Sequence, residues 1–450
     1  MENLKYIPFM IFYSSIAIFF DVYFLLSLKQ FIRTYKLSID YYTAIKYLTV
    51  FMFVVAIYSI HIQVFDITPG YVERYIMIAQ SIWYIPKFII VPVLAIYNLT
   101  RKIKKYRNKF KPKLLLSIRQ KVKPIIEEPR IALQTNTNFQ INQNLSTDIL
   151  SKSIKIANKS QNNKLIERRK FIKNSSLAFF GVPFFTIAKD AVDSTYDILI
   201  NRVTIPIKDL PQEFEGFTIA HISDVHAGSF VDSTFIDSAA EMLNKFKPDI
   251  IAATGDFVNF KQDEFDLLHN AFSAMQAKYG KFGCLGNHDH FMDIRDTHRL
   301  INKIEKTDMH LLINENIEIK KENKSIFIAG SDNYGYGQTF GDFDKTLDGV
   351  DPHSPIVLLC HDPTNWEREI RQRRPVDLML SGHTHGGQAG ISFIGKTITP
   401  ATFVYKHYKG LYSDFYQHLY INCGLGTSGI PIRLGIPPEI TLIILTKSQV

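Results

Sequence analysis

Five short blocks in this 450-residue chain hold residues able to bind divalent cations. "SDVHAG" carries Asp224 and His226, "TGDFVN" carries Asp256, and "GNHDH" carries Asn287, His288 and Asp289. "CHDP" adds His361, and "SGHTHGGQ" adds His383 and His385. Carboxylates, imidazoles and a carboxamide in this number suit a two-metal hydrolytic site. Two divalent cations about 3.5–4 Å apart need a bridging anion, and a carboxylate such as Asp256 can serve. A nitrogen and oxygen donor set without thiolate fits Mn, Fe or Zn better than Mg or Ca. A water held between two such ions is acidified to hydroxide at neutral pH.

These residues need a scaffold that collects them, and the surrounding sequence supplies one. "FTIAHIS", "DIIAAT", "IFIAG", "IVLLC", "DLMLS", "LYIN" and "ITLIIL" read as strands by length and β-branching. Between them, segments such as 233–246 repeat apolar residues at helical spacing. The pattern describes an α/β domain with a largely buried sheet. Each block follows a predicted strand, and the period-2 spacing of Asp224 and His226 points both to one face. Ligands of open α/β sheets collect at the carboxyl ends of strands. Gly286, Gly382, Gly386 and Gly387 would let the backbone approach the cations closely.

The series D-x-H, G-D, G-N-H-D, H and G-H-x-H resembles the signature of the calcineurin-like metallophosphoesterases, and no position is missing. The segments "PDIIAATGDFV", "LLCHDP", "LSGHTHGGQ" and "CGLGTSGIPIRLGIPPEITLIIL" are most similar to a membrane-associated bacterial branch of phosphodiesterases. The resemblance covers about residues 205–445 and implies a β-sandwich flanked by helices. It implies that Asp224, His226, Asp256 and His385 hold one metal, and that Asp256, Asn287, His361 and His383 hold the other. His288 would stabilise the transition state or protonate the leaving oxygen, with Asp289 orienting it. Arg433 in "PIRLG" is either a phosphate contact or a packing residue.

Ahead of this domain, three apolar runs at about 6–28, 47–65 and 75–97 are long enough to cross a bilayer. They make residues 1–100 a transmembrane region, with Asp21 and Lys87 inside the runs, where charge is costly. Lys29, Arg33, Lys36 and Lys46 in the first loop, and "RKIKKYRNKFKPK" after the third run, set those segments on the cytoplasmic side. Residues 101–173 read as a basic, then Asn/Gln-rich, cytoplasmic linker. "ERRKFIK" followed by a weakly apolar stretch resembles a twin-arginine signal. A fourth crossing at 174–192 would place the phosphoesterase domain, 193–450, outside the cytoplasm.

Residues 1–173 hold 27 Lys+Arg against 9 Asp+Glu, whereas 174–450 hold 25 against 34. The chemistry-bearing half is therefore acidic, which argues against a nuclease and against any nucleic-acid partner. Cys284, Cys360 and Cys423 each sit in apolar sequence and read as buried thiols. Tethering points to phosphoesters in or near the bilayer, such as nucleotide-activated lipids or lipid pyrophosphates. A membrane receptor that binds metal and phosphate without turnover is the alternative from another class. No oligomeric state follows from the sequence.

Overall fold

The computed structural model describes residues 7–35, 39–64, 71–121 and 186–448, apart from 188, 192, 352, 394, 395 and 430. The expected linker beyond residue 121, the twin-arginine segment and most of the expected fourth crossing lie outside the described residues. The chain falls into two compact units. Among the described residues, one holds 7–10, 54–64, 71–83 and the described part of 186–448, the other 11–35, 39–53 and 84–121.

The N-terminal part forms three helices, α1 (Ile7–Tyr35), α2 (Ile39–Val64) and α3 (Tyr71–Lys121). Of the three expected crossings, one meets the requirements of length and composition among the described residues, Tyr75–Lys104 within α3. The apolar part of α2 is shorter, Tyr42–Tyr58, because Asp40 lies at its start and His61 and Gln63 near its end. The helix of α3 continues through the basic run that follows the apolar stretch.

Within the second of the two units, Asp21 and Lys87 meet. Lys87 Nζ donates to Asp21 Oδ1 at 2.6 Å and Tyr84 Oη donates to Asp21 Oδ2 at 2.8 Å. The ammonium also lies over the Phe24 and Tyr84 rings, 5.3 and 4.9 Å from their centroids. Both charges are buried, so the pair neutralises itself where neither member could stand alone.

The C-terminal domain is a sandwich. Its strands are β1 (Leu199–Ile207), β2 (Thr218–Ile222), β3 (Ile250–Thr254), β4 (Lys281–Cys284), β5 (Met309–Leu311), β6 (Glu315–Lys321) and β7 (Lys324–Gly330). They continue with β8 (Tyr334–Gly335), β9 (Gln338–Thr339), β10 (Ile356–Leu359), β11 (Leu378–Ser381), β12 (Ile391–Phe393) and β13 (Lys396–Ile398). The last three are β14 (Gly410–Asp414), β15 (Gln417–Ile421) and β16 (Glu439–Lys447). One six-stranded sheet runs β1-β16-β2-β3-β4-β5, the other β14-β15-β11-β10-β7-β6, and β8-β9 and β12-β13 are small hairpins.

Alternation along the strands builds the layers. Ile219, Ile250, Ala252, Val357 and Leu359 point into the core between the sheets. Their neighbours Ala220, Ile251 and Ala253 face a second core beneath the helices α4 (Thr234–Phe246) and α5 (Ile294–Glu305). Ile356 and Leu358 face a third core on the far side of the other sheet. The seven strands read from sequence are all present, and α4 occupies the segment expected to be helical. β2, β3 and β4 are mutually parallel, as are β10 and β11, so each group delivers its following loops to one edge. The three cysteines are free and buried, as expected.

Candidate metal centre

The loops after β2, β3, β4, β10 and β11 bring together six of the seven expected ligands, Asp224, His226, Asp256, His361, His383 and His385, with His288 beside them. Asp224, His226 and His385 form one cluster, and Asp256, His361 and His383 form another. A third grouping joins His226, Asp256 and His288. In each, the donor atoms lie within 4.8 Å of one another. Asp256 Oδ2 stands 3.1 Å from His361 Nε2 and 3.5 Å from His226 Nε2. His226 Nε2 lies 3.1 Å from His385 Nε2, and His385 Nε2 lies 3.4 Å from Asp224 Oδ1.

The backbone pays for this convergence. Asp224, His226, Asp256, His383 and His385 all have positive φ, between 46° and 68°, a region L-residues enter at a cost of roughly 1 kcal/mol or more each. Two glycines make the crossing of loops sterically feasible. A Cβ on Gly286 would overlap Asp256 Oδ1, and one on Gly382 would overlap Ser223 Oγ and Asp224 Oδ2. Gly286 and Gly382 therefore make room for the ligand carboxylates.

Hydrogen bonds orient the ligands from behind. His361 Nδ1 donates to the Thr254 carbonyl at 2.7 Å, which leaves Nε2 facing Asp256. The His383 amide donates to both carboxylate oxygens of Asp224, at 3.0 and 2.9 Å. Tyr405 Oη lies 3.1 Å from His383 Nε2.

Donor chemistry tests whether cations fit. Asn287 Oδ1 is buried without a hydrogen-bond partner, and such an atom is costly unless something else satisfies it. Burial pushes the rings of His226 to about 3 and of His383 to about 4, and holds His385 well below its ordinary value. Those rings are neutral, with lone pairs available, the form a cation requires. Burial opposes ionisation of Asp256, but the charges of His361 and His288 hold its carboxyl well below the usual range. Burial raises Asp224 to about 6. Burial works against a charge on His361, yet Asp256 lifts the ring to about 10. The paired carboxylates, the neutral imidazoles of His226, His383 and His385 and the unsatisfied Asn287 oxygen fit divalent cations.

His288 differs from the other imidazoles in its partner. Its Nδ1 donates to the Asn259 carbonyl at 2.7 Å and its amide to Asp256 Oδ1 at 2.9 Å. The sequence assigned Asp289 to orient His288, and the hydrogen bonds of Asp289 run elsewhere. Asp289 Oδ2 accepts from the amides of Asp256 and Gly286, each at 2.9 Å. Its Oδ1 accepts from Phe257 at 2.9 Å and from Val258 at 3.3 Å. The carboxylate thus braces the Asp256 loop, and the carbonyl of Asn259 orients His288.

Arg433 is fully buried and donates to the carbonyls of Cys423 and Gly424 at 2.9 and 3.1 Å. Its Nη2 also lies 3.3 Å from His385 Nδ1. It packs behind His385 and ties down the loop after β15. Asn259, Tyr405 and Glu264 escaped the sequence reading. Glu264 accepts from the Asn259 and Phe260 amides at 2.6 and 3.3 Å, holding the loop that orients His288. A main-chain acceptor leaves no mark in a motif, and neither Tyr405 nor Glu264 adjoins a block.

The family model for calcineurin-like phosphoesterases matches residues 217–387. An uncharacterized metallophosphoesterase of Aquifex aeolicus is 31% identical over 255 residues, which is 55% of this chain and 92% of that protein. The chain belongs to the calcineurin-like phosphoesterases. Other members of the family extend the comparison. The phosphodiesterase YaeI of Escherichia coli is 26% identical over 280 residues, 62% of this chain and 99% of its own length. A bovine transmembrane protein with a metallophosphoesterase domain is 28% identical over 262 residues, 55% of this chain and 56% of that protein. The N-terminal helices of this calcineurin-like phosphoesterase precede the residues that the family model matches.

Proposed function

We propose that this protein is a membrane-anchored hydrolase of phosphodiester or pyrophosphate bonds that works with two divalent cations, Mn, Zn or Fe. The observation that supports it most is the position of Asp256 Oδ2 between His226 Nε2 and His361 Nε2. Asp224, His226, Asp256 and His385 would hold one cation; Asp256, Asn287, His361 and His383 would hold the other. Bound there, the cations would neutralise the phosphoryl oxygens and acidify the attacking water.

The chain's own groups do the rest. The Asp289 brace and the left-handed backbone fix Asp256 before substrate arrives, so little reorganisation is needed during reaction. His288 keeps Nδ1–H on the Asn259 carbonyl, so Nε2 is the atom that carries the proton to the leaving oxygen. His288 and His383 are the half-buried members of the cluster, whereas the remaining ligands are buried. Substrate therefore approaches on the His288 and His383 side.

The helices α1 and α2 join Tyr75–Lys104 as crossings in this reading, with the phosphoesterase domain outside the cytoplasm and the substrate a phosphoester in or near the bilayer. A reporter fused after Val450 checks the placement, and activity of a reporter that works only in the cytoplasm would refute it. Hydrolysis of bis-p-nitrophenyl phosphate with Mn²⁺ by the wild type and by Asp256→Asn tests the enzyme reading. Turnover should fall by about a thousandfold or more in the variant; equal rates would leave the receptor reading.

A further inference from the structure

An arc of aromatic rings borders the open side of the metal centre. Phe291 lies against His288, with centroids 4.4 Å apart, and Phe260 lies 5.8 Å from the same ring. Phe260 and Phe291 stack at 6.4 Å with their planes 23° apart. Phe291 continues to Tyr336 at 6.3 Å, and Tyr336 reaches His383 at 5.9 Å. The arc therefore links the two half-buried imidazoles along the side from which substrate approaches.

These rings are open to water. Phe260 is 37% exposed, Phe291 41% and Tyr336 68%. Contiguous exposed aromatic surface beside a buried polar centre marks a binding surface. The rings are also held in place. Glu264 pins the amide of Phe260, and the Phe291 amide donates to the His288 carbonyl at 3.1 Å. Tyr336 occupies the first central position of the two-residue β8-β9 turn, with φ 52°, followed by Gly337 at 81°. Asn or Gly is the usual residue at that position, and a tyrosine there is held in a strained conformation that aims its ring at His383.

We propose that Phe260, Phe291 and Tyr336 form a subsite for an apolar ester group on the substrate phosphorus, either aryl or alkyl. The inference rests on the phosphoesterase reading of the adjoining metal centre. The rings cover the apolar group while the phosphoryl group lies at the cluster, so the subsite selects amphipathic phosphoesters over those of small polar alcohols. It adds binding energy remote from the reacting atoms, which can be used for positioning.

Binding of methylphosphonate, phenylphosphonate and hexylphosphonate to the manganese-loaded full-length chain, measured by calorimetry, tests the subsite without turnover. The wild type should bind the phenyl or the hexyl compound about tenfold more tightly than the methyl compound. A phenyl preference identifies an aryl ester as the occupant, and a hexyl preference identifies an alkyl chain. In Phe291→Ala and in Tyr336→Ala the ratio of dissociation constants should fall several-fold toward one. Equal affinities for all three compounds in the wild type, or a ratio unchanged in both variants, would overturn the subsite. If none of the three binds the loaded wild type, the phosphoesterase reading fails and the subsite with it.

Discussion

Oδ2 of Asp289 accepts a hydrogen bond from the amide of Asp256 at 2.9 Å. With the amides of Gly286, Phe257 and Val258 on the same carboxylate, Asp289 ties the loop after β3 to the loop after β4. Asp289→Ala would leave these four amides without their acceptor, at about 1–3 kcal/mol for each buried group. The expected loss is about 4 kcal/mol or more of domain stability, read by chemical unfolding of the full chain in detergent. A variant of unchanged stability that loses activity alone would return Asp289 to the role of orienting His288.

Gly382 separates β11 from His383 and packs against Asp224. In Gly382→Ala the new methyl overlaps Asp224 Oδ2 and Ser223 Oγ, so the carboxylate must move from its place beside His385. Metal affinity should drop about 10- to 100-fold, the usual effect of disturbing what holds a ligand. Metal content after dialysis, measured by atomic emission, checks this. Retention equal to wild type would mean that the loop relaxes without displacing Asp224.

Asp377, just ahead of β11, accepts the Ile356 amide at 2.8 Å, and burial pushes its carboxyl up to about 6. Its unfolded value lies near 4, so the native state holds the extra proton between about 4 and 6. This contribution to stability is fully present below pH 4 and is lost as pH rises through about 6. Asp377→Asn keeps an acceptor and removes the charge. The variant should melt higher than the wild type at pH 8 and at about the same temperature near pH 4. A constant difference across that range would contradict the assignment.

The fold was legible in sequence where strands are buried on both sides, because such runs are short, β-branched and bounded by polar residues. β2, β3, β10 and β11 are of this kind, and they deliver four of the five blocks. The short β5, the half-exposed β6 and β14 and the hairpins β8-β9 and β12-β13 carried weaker patterns. The convergence of the candidate side chains was legible because chemistry restricts the residue types. What lies behind the ligands was less so: the Asn259 carbonyl is a backbone atom, and Asp289 sits in the motif but turns toward amides that no spacing specifies. Asp21 and Lys87 were visible as charges within apolar runs, but their pairing across 66 positions depends on how α1 and α3 pack.

That pairing makes its own prediction. Lys87→Met leaves the buried Asp21 carboxylate with only Tyr84 among its described partners, and an uncompensated buried charge costs about 3–5 kcal/mol. Thermal unfolding in detergent should show a marked loss for this variant. The double variant Asp21→Leu with Lys87→Met should recover most of it. A double variant as unstable as the single one would mean that the pair contributes specific contacts beyond mutual neutralisation.

The central claim is that five strand ends build two cation positions sharing Asp256, and counting bound metal tests it most directly. Titration of the metal-free full-length chain with Mn²⁺ should give two equivalents for the wild type. His383→Ala and His385→Ala should each lose one, and Asp256→Asn should weaken both. A single equivalent in the wild type, or loss of both in either histidine variant, would contradict the division of ligands that the account depends on.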